Sequence, residues 1–226
     1  MTGTIISQSY LDGITLTNAG SYNPVSILAG VTVTIAAGPA IQASGTIDWT
    51  ISNAGTALGG GTSAGSYGIA MQGGGTVTNL AGGMLGGAYG GVAMHGIGTV
   101  LNEGSIASTV ATAGAAVVLA GGGYVENQSG GVITGHDTGI ALQEAGSVTN
   151  AGTLRGLTGS GALLAGGGGV SNGTASSILG YSTGVSLGGV GTVVNQGSIG
   201  AGQTAGAGYT YSPPATRPRC WPPACC

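Results

Sequence analysis

The chain has 226 residues, 52 of them glycine and only 4% charged, with a formal net charge of −3 at pH 7. Asp12, Asp48, Glu103, Glu126, Asp137 and Glu144 stand against Arg155, Arg217 and Arg219, and there is no lysine. No basic surface exists to neutralise phosphates, so a nucleic-acid partner is excluded. Collagen is excluded because glycine does not recur every third residue, and β-branched residues are too frequent for a disordered chain.

In chain order, the segment Met1 to Tyr10 carries neither a basic stretch nor an apolar core, so no secretory signal peptide is legible there. No apolar run approaches the roughly 18 residues of a membrane-spanning helix, and no transmembrane segment is expected. Ile14-Thr-Leu-Thr-Asn18 alternates apolar and polar residues and closes on an asparagine. Val31-Thr-Val-Thr-Ile35 alternates without an asparagine, and Pro24 and Pro39 interrupt the stretch. Residues 1–40 therefore read as an irregular N-terminal coil or cap, because a solenoid must cover its end.

Residues 41–208 read as a repeat array. An asparagine closes a short strand-like run at Asn53, Asn79, Asn102, Asn127, Asn150, Asn172 and Asn195, at successive spacings of 26, 23, 25, 23, 22 and 23 residues. Two residues before each stands an aliphatic (Ile51, Val77, Val100, Val125, Val148, Val170, Val193), flanked mostly by polar residues. This period-2 alternation marks a strand with one buried face. A second apolar pair lies ten and eight residues before the asparagine, as in Val92/Met94 and Ile140/Leu142. Four residues before it stands Gly75, Gly98, Gly123, Gly146, Gly168 or Gly191, a turn position needing positive φ or close backbone approach. A third apolar position follows at +4 (Ile106, Leu154, Ile199) or at +6 (Leu85, Ile133, Ile178). The two offsets differ by two residues, so the side chain faces the same way in both.

The pattern predicts an all-β chain: a right-handed parallel β-helix (β-solenoid) with three short strands per coil of about 23 residues, in about eight coils. Stacking at about 4.8 Å would make a rod on the order of 40 Å long. The asparagines would form an internal ladder at one corner, each amide bonding its neighbours above and below.

Residues 209–226 form a non-repeat tail. It holds Cys220, Cys225 and Cys226, two of the three arginines and five of the seven prolines. The abrupt change is what a shifted reading frame gives, and the tail is expected to be disordered or frame-shifted. Its cysteines lack zinc-site spacing and have no nearby histidine.

Several candidate sites yield a structural reading. Gly61-Thr-Ser63-Ala-Gly65 and Gly180-Tyr-Ser182-Thr-Gly184 match the hydrolase nucleophile elbow. About one such string is expected by chance at these glycine and serine frequencies, and no acid or histidine follows Ser182. His95 and His136-Asp137 fall at turns, without converging partners. The acids are scattered singly, so the paired carboxylates of a polysaccharide hydrolase are not evident. The sequons at Asn127-Gln-Ser129 and Asn172-Gly-Thr174 involve ladder residues that point inward. Outward pairs such as Thr76/Thr78, Thr99/Leu101 and Thr192/Val194 would give a flat threonine-rich face, broken at Tyr124/Glu126 and Gly169/Ser171. Threonine is favoured on any exposed strand face.

From about Gly38 to Gly200, the consensus G-V-x-L-x-x-x-G-x-V-x-N-x-G-x-I-x-G resembles the passenger repeats of bacterial autotransporters and related secreted adhesin-like β-helix proteins. Such proteins usually carry an export signal and a C-terminal module, an outer-membrane β-barrel or a self-processing domain; neither is legible here. The resemblance implies an extracellular or cell-surface location and a structural or adhesive role without intrinsic catalysis. No catalytic, cofactor-binding or metal-binding residue is assigned, and no cofactor is expected. The expected partners are surface glycans, the surfaces of host or neighbouring cells, and a second copy through end-to-end association. The alternatives are a fragment of a carbohydrate-active β-helix enzyme and an ice-binding solenoid.

Overall fold

A computed structural model describes residues 3–62, 64–108, 114–202 and 209–211. The chain is an all-β parallel solenoid whose strands fall in turn into three sheets of nine, eight and nine strands. The first sheet stacks Thr4–Ile6, Val25–Ile27, Trp49–Asn53, Gly75–Asn79, Gly98–Asn102, Gly123–Asn127, Gly146–Asn150, Gly168–Asn172 and Gly191–Asn195. The second runs from Thr32–Thr34 to Ser198–Ala201, and the third from Ile14–Leu16 to Tyr209–Tyr211. Named strand pairs are all parallel, in the register that the alternation predicts: Val77 faces Val100, Val100 faces Val125, and Asn102 faces Asn127.

Alternation sorts each strand's side chains. Inward residues build continuous columns along the axis: Ile51 to Val170 in the first sheet, Val33 to Ile178 in the second, and Met71 to Leu187 in the third. Nearly all are fully buried, and each Val, Leu or Ile removed from water contributes roughly 1.5–3 kcal/mol. A single coil has no second layer to bury these residues against, so the stack folds only as a stack. The only helical turn among the described residues is Ala19–Tyr22.

The N-terminal region differs from its reading in detail. Ile14–Leu16 pairs with Ile41–Ala43 in the third sheet, so Asn18 lies outside the asparagine column. It is exposed at the start of the helical turn and makes no side-chain cap hydrogen bond. A short alternating run ending in asparagine carries no label for which of three sheets it joins. Val31 and Val33 are buried at the strand Thr32–Thr34, the first strand of the second sheet. Tyr10 makes an isolated parallel bridge to Val33 where the preceding coil would have its own second-sheet strand. Eight complete coils thus follow one partial coil, all in the same three sheets. At the other end, Tyr209–Tyr211, within the segment read as tail, pairs in parallel with the strand Thr183–Leu187. Cys220, Cys225 and Cys226 lie outside the described residues.

The repeated glycines open the first-sheet strands. Gly168 has φ +124°, and a Cβ there would sit 1.8 Å from the carbonyl oxygen of Gly146. At Gly98 the pressure comes from the core instead, with Met94 Sδ at 2.5 Å from the position a Cβ would take. One sequence position is thus held by two constraints, chain direction and interior crowding. Trp49 takes this position in its own coil and is fully buried opposite Gly75.

Candidate functional site: the asparagine column and the outward faces

Most of the buried polar side chains among the described residues belong to the asparagine column. Asn53, Asn79, Asn102, Asn127, Asn150 and Asn172 each donate from Nδ2 to Oδ1 of the asparagine one coil further on, at 2.8 Å in every case. The same Nδ2 groups also reach backbone carbonyls, as Asn127 does to Gly131 and Thr153, both at 3.1 Å. All six amides point the same way, so each bond polarises the next. Asn172 also accepts from the Ser176 hydroxyl at 2.7 Å. Asn195, the last acceptor, is exposed. The sequon residues Asn127 and Asn172 are buried within the column. From Asn79 to Asn172 the amides satisfy one another within the stack, which makes the column a structural device.

Three buried polar atoms find no partner among the described residues: Trp49 Nε1, Asn53 Oδ1 and His136 Nδ1. For Asn53 the cause is register. The residue facing it in the preceding coil is Ile27, which has nothing to donate.

Ser63 lies outside the described residues. Ser182 is exposed on the turn between Ser177–Gly180 and Thr183–Leu187, and its backbone N–H donates to the Gly159 carbonyl at 3.0 Å. His136 is half-buried; its backbone N–H donates to Ser108 Oγ at 2.5 Å, while Thr158 Oγ1 donates to its carbonyl at 3.0 Å. Among the described residues no three His, Cys, Asp or Glu side chains converge as a metal site would require. No helix among them is long and apolar enough to cross a membrane.

The outer face of the first sheet carries the threonine array in register: Thr50 faces Thr76, Thr76 faces Thr99 and Thr78 faces Leu101. Tyr124 and Glu126 interrupt it in the next coil, where the Tyr124 hydroxyl donates to Glu126 Oε2 at 3.0 Å. The outer face of the second sheet holds Arg155 beside Leu157, Leu179 and Tyr181, around a shallow cleft of about 160 Å³.

The outer face of the third sheet holds a larger groove, of about 340 Å³. It crosses four successive coils. Tyr67 forms one end, Ala93 and Val118 lie face to face in the strand register, and His95, Ala120 and Gln143 follow in the adjacent outward positions. His95 and Gln143 are exposed, whereas Ala93 retains only 7% of its surface. The Tyr67 ring meets Tyr89 edge to face at 6.0 Å. Burial, and secondarily the Tyr89 phenol, raises the Tyr67 hydroxyl above its ordinary value, so it is protonated at neutral pH. His95 Nδ1 lies 3.2 Å from the Met71 carbonyl, which can only accept. Nδ1 therefore carries the proton in the neutral ring, and Nε2 is left as an acceptor. Periodicity did not flag this groove, because His95, Ala120 and Gln143 occupy outward positions that the repeat leaves free.

The fold defines the protein as a three-sheet parallel β-solenoid. Comparison with protein-family models, curated proteins and solved structures returned no match.

Proposed function

We propose that the chain is a structural or adhesive extracellular rod of the passenger type, acting by display and contact, without catalysis of its own. The observation that supports this reading is the division of labour in each coil. Inward positions are spent on stacking, from Val77 to Val170 and from Asn79 to Asn172, while outward positions change from coil to coil, as Thr99, Tyr124, Ser147 and Gly169 do along one row. A stiff stack that presents variable side chains at fixed spacing suits contact with an extended surface. Its low charge and the resemblance of its repeat to secreted adhesin-like passengers point the same way.

The test is direct. The purified chain, immobilised on beads, is presented to bacterial and epithelial cells and to glycan arrays, with an equal mass of an unrelated β-rich protein as control. Saturable retention is the expected result. The same preparation incubated with polysaccharides should release no reducing ends. Hydrolysis that survives repurification would overturn the non-catalytic reading, and the absence of retention on every surface would overturn the adhesive one.

A further inference from the structure

We infer that the groove on the third sheet, lined by Tyr67, Ala93, His95, Val118, Ala120 and Gln143, is a binding site for a neutral saccharide. This inference deepens the adhesive reading and rests on it.

The argument starts from the groove's floor. Ala93 and Val118 stack along the axis in adjacent coils, Ala120 lies two residues further along the strand from Val118, and Tyr67 closes one end with an aromatic ring. Such a surface takes up an apolar C–H face. Its rim is polar but holds no acid, lysine or arginine among the described residues. An ionic ligand would shed water there without a countercharge, which is costly. A ligand with hydroxyls that both donate and accept matches what the rim offers: the Gln143 amide donates and accepts, and His95 Nε2 accepts. His95 and Gln143 belong to strands two layers apart, about 9–10 Å at the usual spacing. Ala120 lies between them. The two polar groups are therefore placed to grip a ring from either side of a methyl floor.

The groove's size, about 340 Å³, is at the low end for small-ligand sites and suits one or two sugar rings. An extended peptide fits less well. It binds sheets by adding to a free strand edge, whereas this groove lies on a sheet face. There the strand Gly90–Met94 is already paired with Tyr67–Met71 on one side and Val117–Leu119 on the other.

The experiment uses the imidazole signals of the full chain, which has two histidines, so His136 serves as an internal control for His95. Galactose, glucose, N-acetylglucosamine and their β-linked dimers are titrated to tens of millimolar, with glucuronate as the charged probe. The expected result is a saturable shift of His95 but not His136 with at least one neutral sugar, and none with glucuronate. Gln143→Ala should weaken that binding about tenfold, as loss of a hydrogen bond and its packing does. Ala120→Glu, which fills the floor without touching an inward position, should abolish it, while Tyr181→Ala on the second sheet should leave it unchanged. Circular dichroism and chemical denaturation of each variant verify folding. Silence of His95 towards every neutral sugar overturns the inference, as does a shift that Gln143→Ala and Ala120→Glu leave intact. Cell retention of the same variants separates the two readings: if Ala120→Glu is retained as well as the parent, the groove proposal fails and the adhesive one stands. A peptide from a phage library that displaces nothing but binds the parent and not Ala120→Glu would also overturn the saccharide assignment.

Discussion

Ile27 stands opposite Asn53 in the parallel register of their strands, and the buried Oδ1 of Asn53 finds no hydrogen-bond partner among the described residues. The asparagine column therefore begins on an unmet acceptor. Each later asparagine accepts a hydrogen bond from the coil before it, as Asn79 does from Asn53 at 2.8 Å.

Replacing Ile27 tests this directly. Ile27→Asn supplies a donor in line with Asn53, whereas Ile27→Asp, of nearly the same size, presents a second acceptor and a buried charge. The Asp variant should be the less stable of the two by at least about 2 kcal/mol. Urea denaturation at neutral pH reads the difference. Equal midpoints would show that the missing donor costs Asn53 nothing.

Truncation along the column should depend on position. Asn127→Ala strips an acceptor from Asn102 and a donor from Asn150, and frees the carbonyls of Gly131 and Thr153. The expected cost is about 3 kcal/mol, since several buried polar groups lose their partner at once. Asn195 is exposed, so Asn195→Ala should cost about 1 kcal/mol or less. Hydrogen exchange is the better measurement, because coils of a solenoid open locally. Loss of protection centred on residues 100–155 is expected in the first variant, and at the last coil only in the second.

Adjacent glycines offer a steric contrast. A Cβ at Gly168 collides with the Gly146 carbonyl oxygen, and φ there is +124°. A Cβ at Gly169 meets nothing closer than 3.9 Å. Gly168→Ala should therefore destabilise by roughly 2–4 kcal/mol. Gly169→Ala should be neutral or stabilising by up to about 1 kcal/mol, through the reduced freedom of the unfolded chain. Similar unfolding midpoints for the two variants would remove the steric account of the repeated glycine.

The Asn172-Gly173 step should resist deamidation. That reaction requires the Gly173 nitrogen to attack the Asn172 carboxamide and expel ammonia. In the folded chain this nitrogen donates to the Asn150 carbonyl at 2.8 Å, and the carboxamide is tied to Asn195 and Ser198. Peptide mapping after days at 37 °C should find Asp or isoAsp at this position in urea-unfolded protein and almost none in native protein. Equal conversion in both would mean that the last coils are open most of the time.

Much of the fold was legible because burial imposes a period. Val77, Val100, Val125 and Val148 had to be aliphatic, and their even spacing within each strand showed which face was inside. The place of Ile14–Leu16 in the third sheet was not legible, because parity identifies a face and not a sheet. The strand at Tyr209–Tyr211 was missed because it follows a stretch without the repeat's marks. The groove was illegible for the opposite reason. His95 and Gln143 lie far apart in sequence on outward positions, where packing writes no pattern; only the strand registers bring them and Tyr67 to one surface.

The uniform handing-on of one hydrogen bond from coil to coil makes cross-section and length independent quantities. The face that Asn102 presents to Asn127 is chemically the face that Asn127 presents to Asn150. Excising residues 103–127 as a block would therefore bring two surfaces together that already match. Such a change would shorten the rod by about 4.8 Å and leave its interior grammar untouched. Copy number is then a dial for length, set by duplication or loss of whole coils, while single substitutions at outward positions change only the surface that the stack presents.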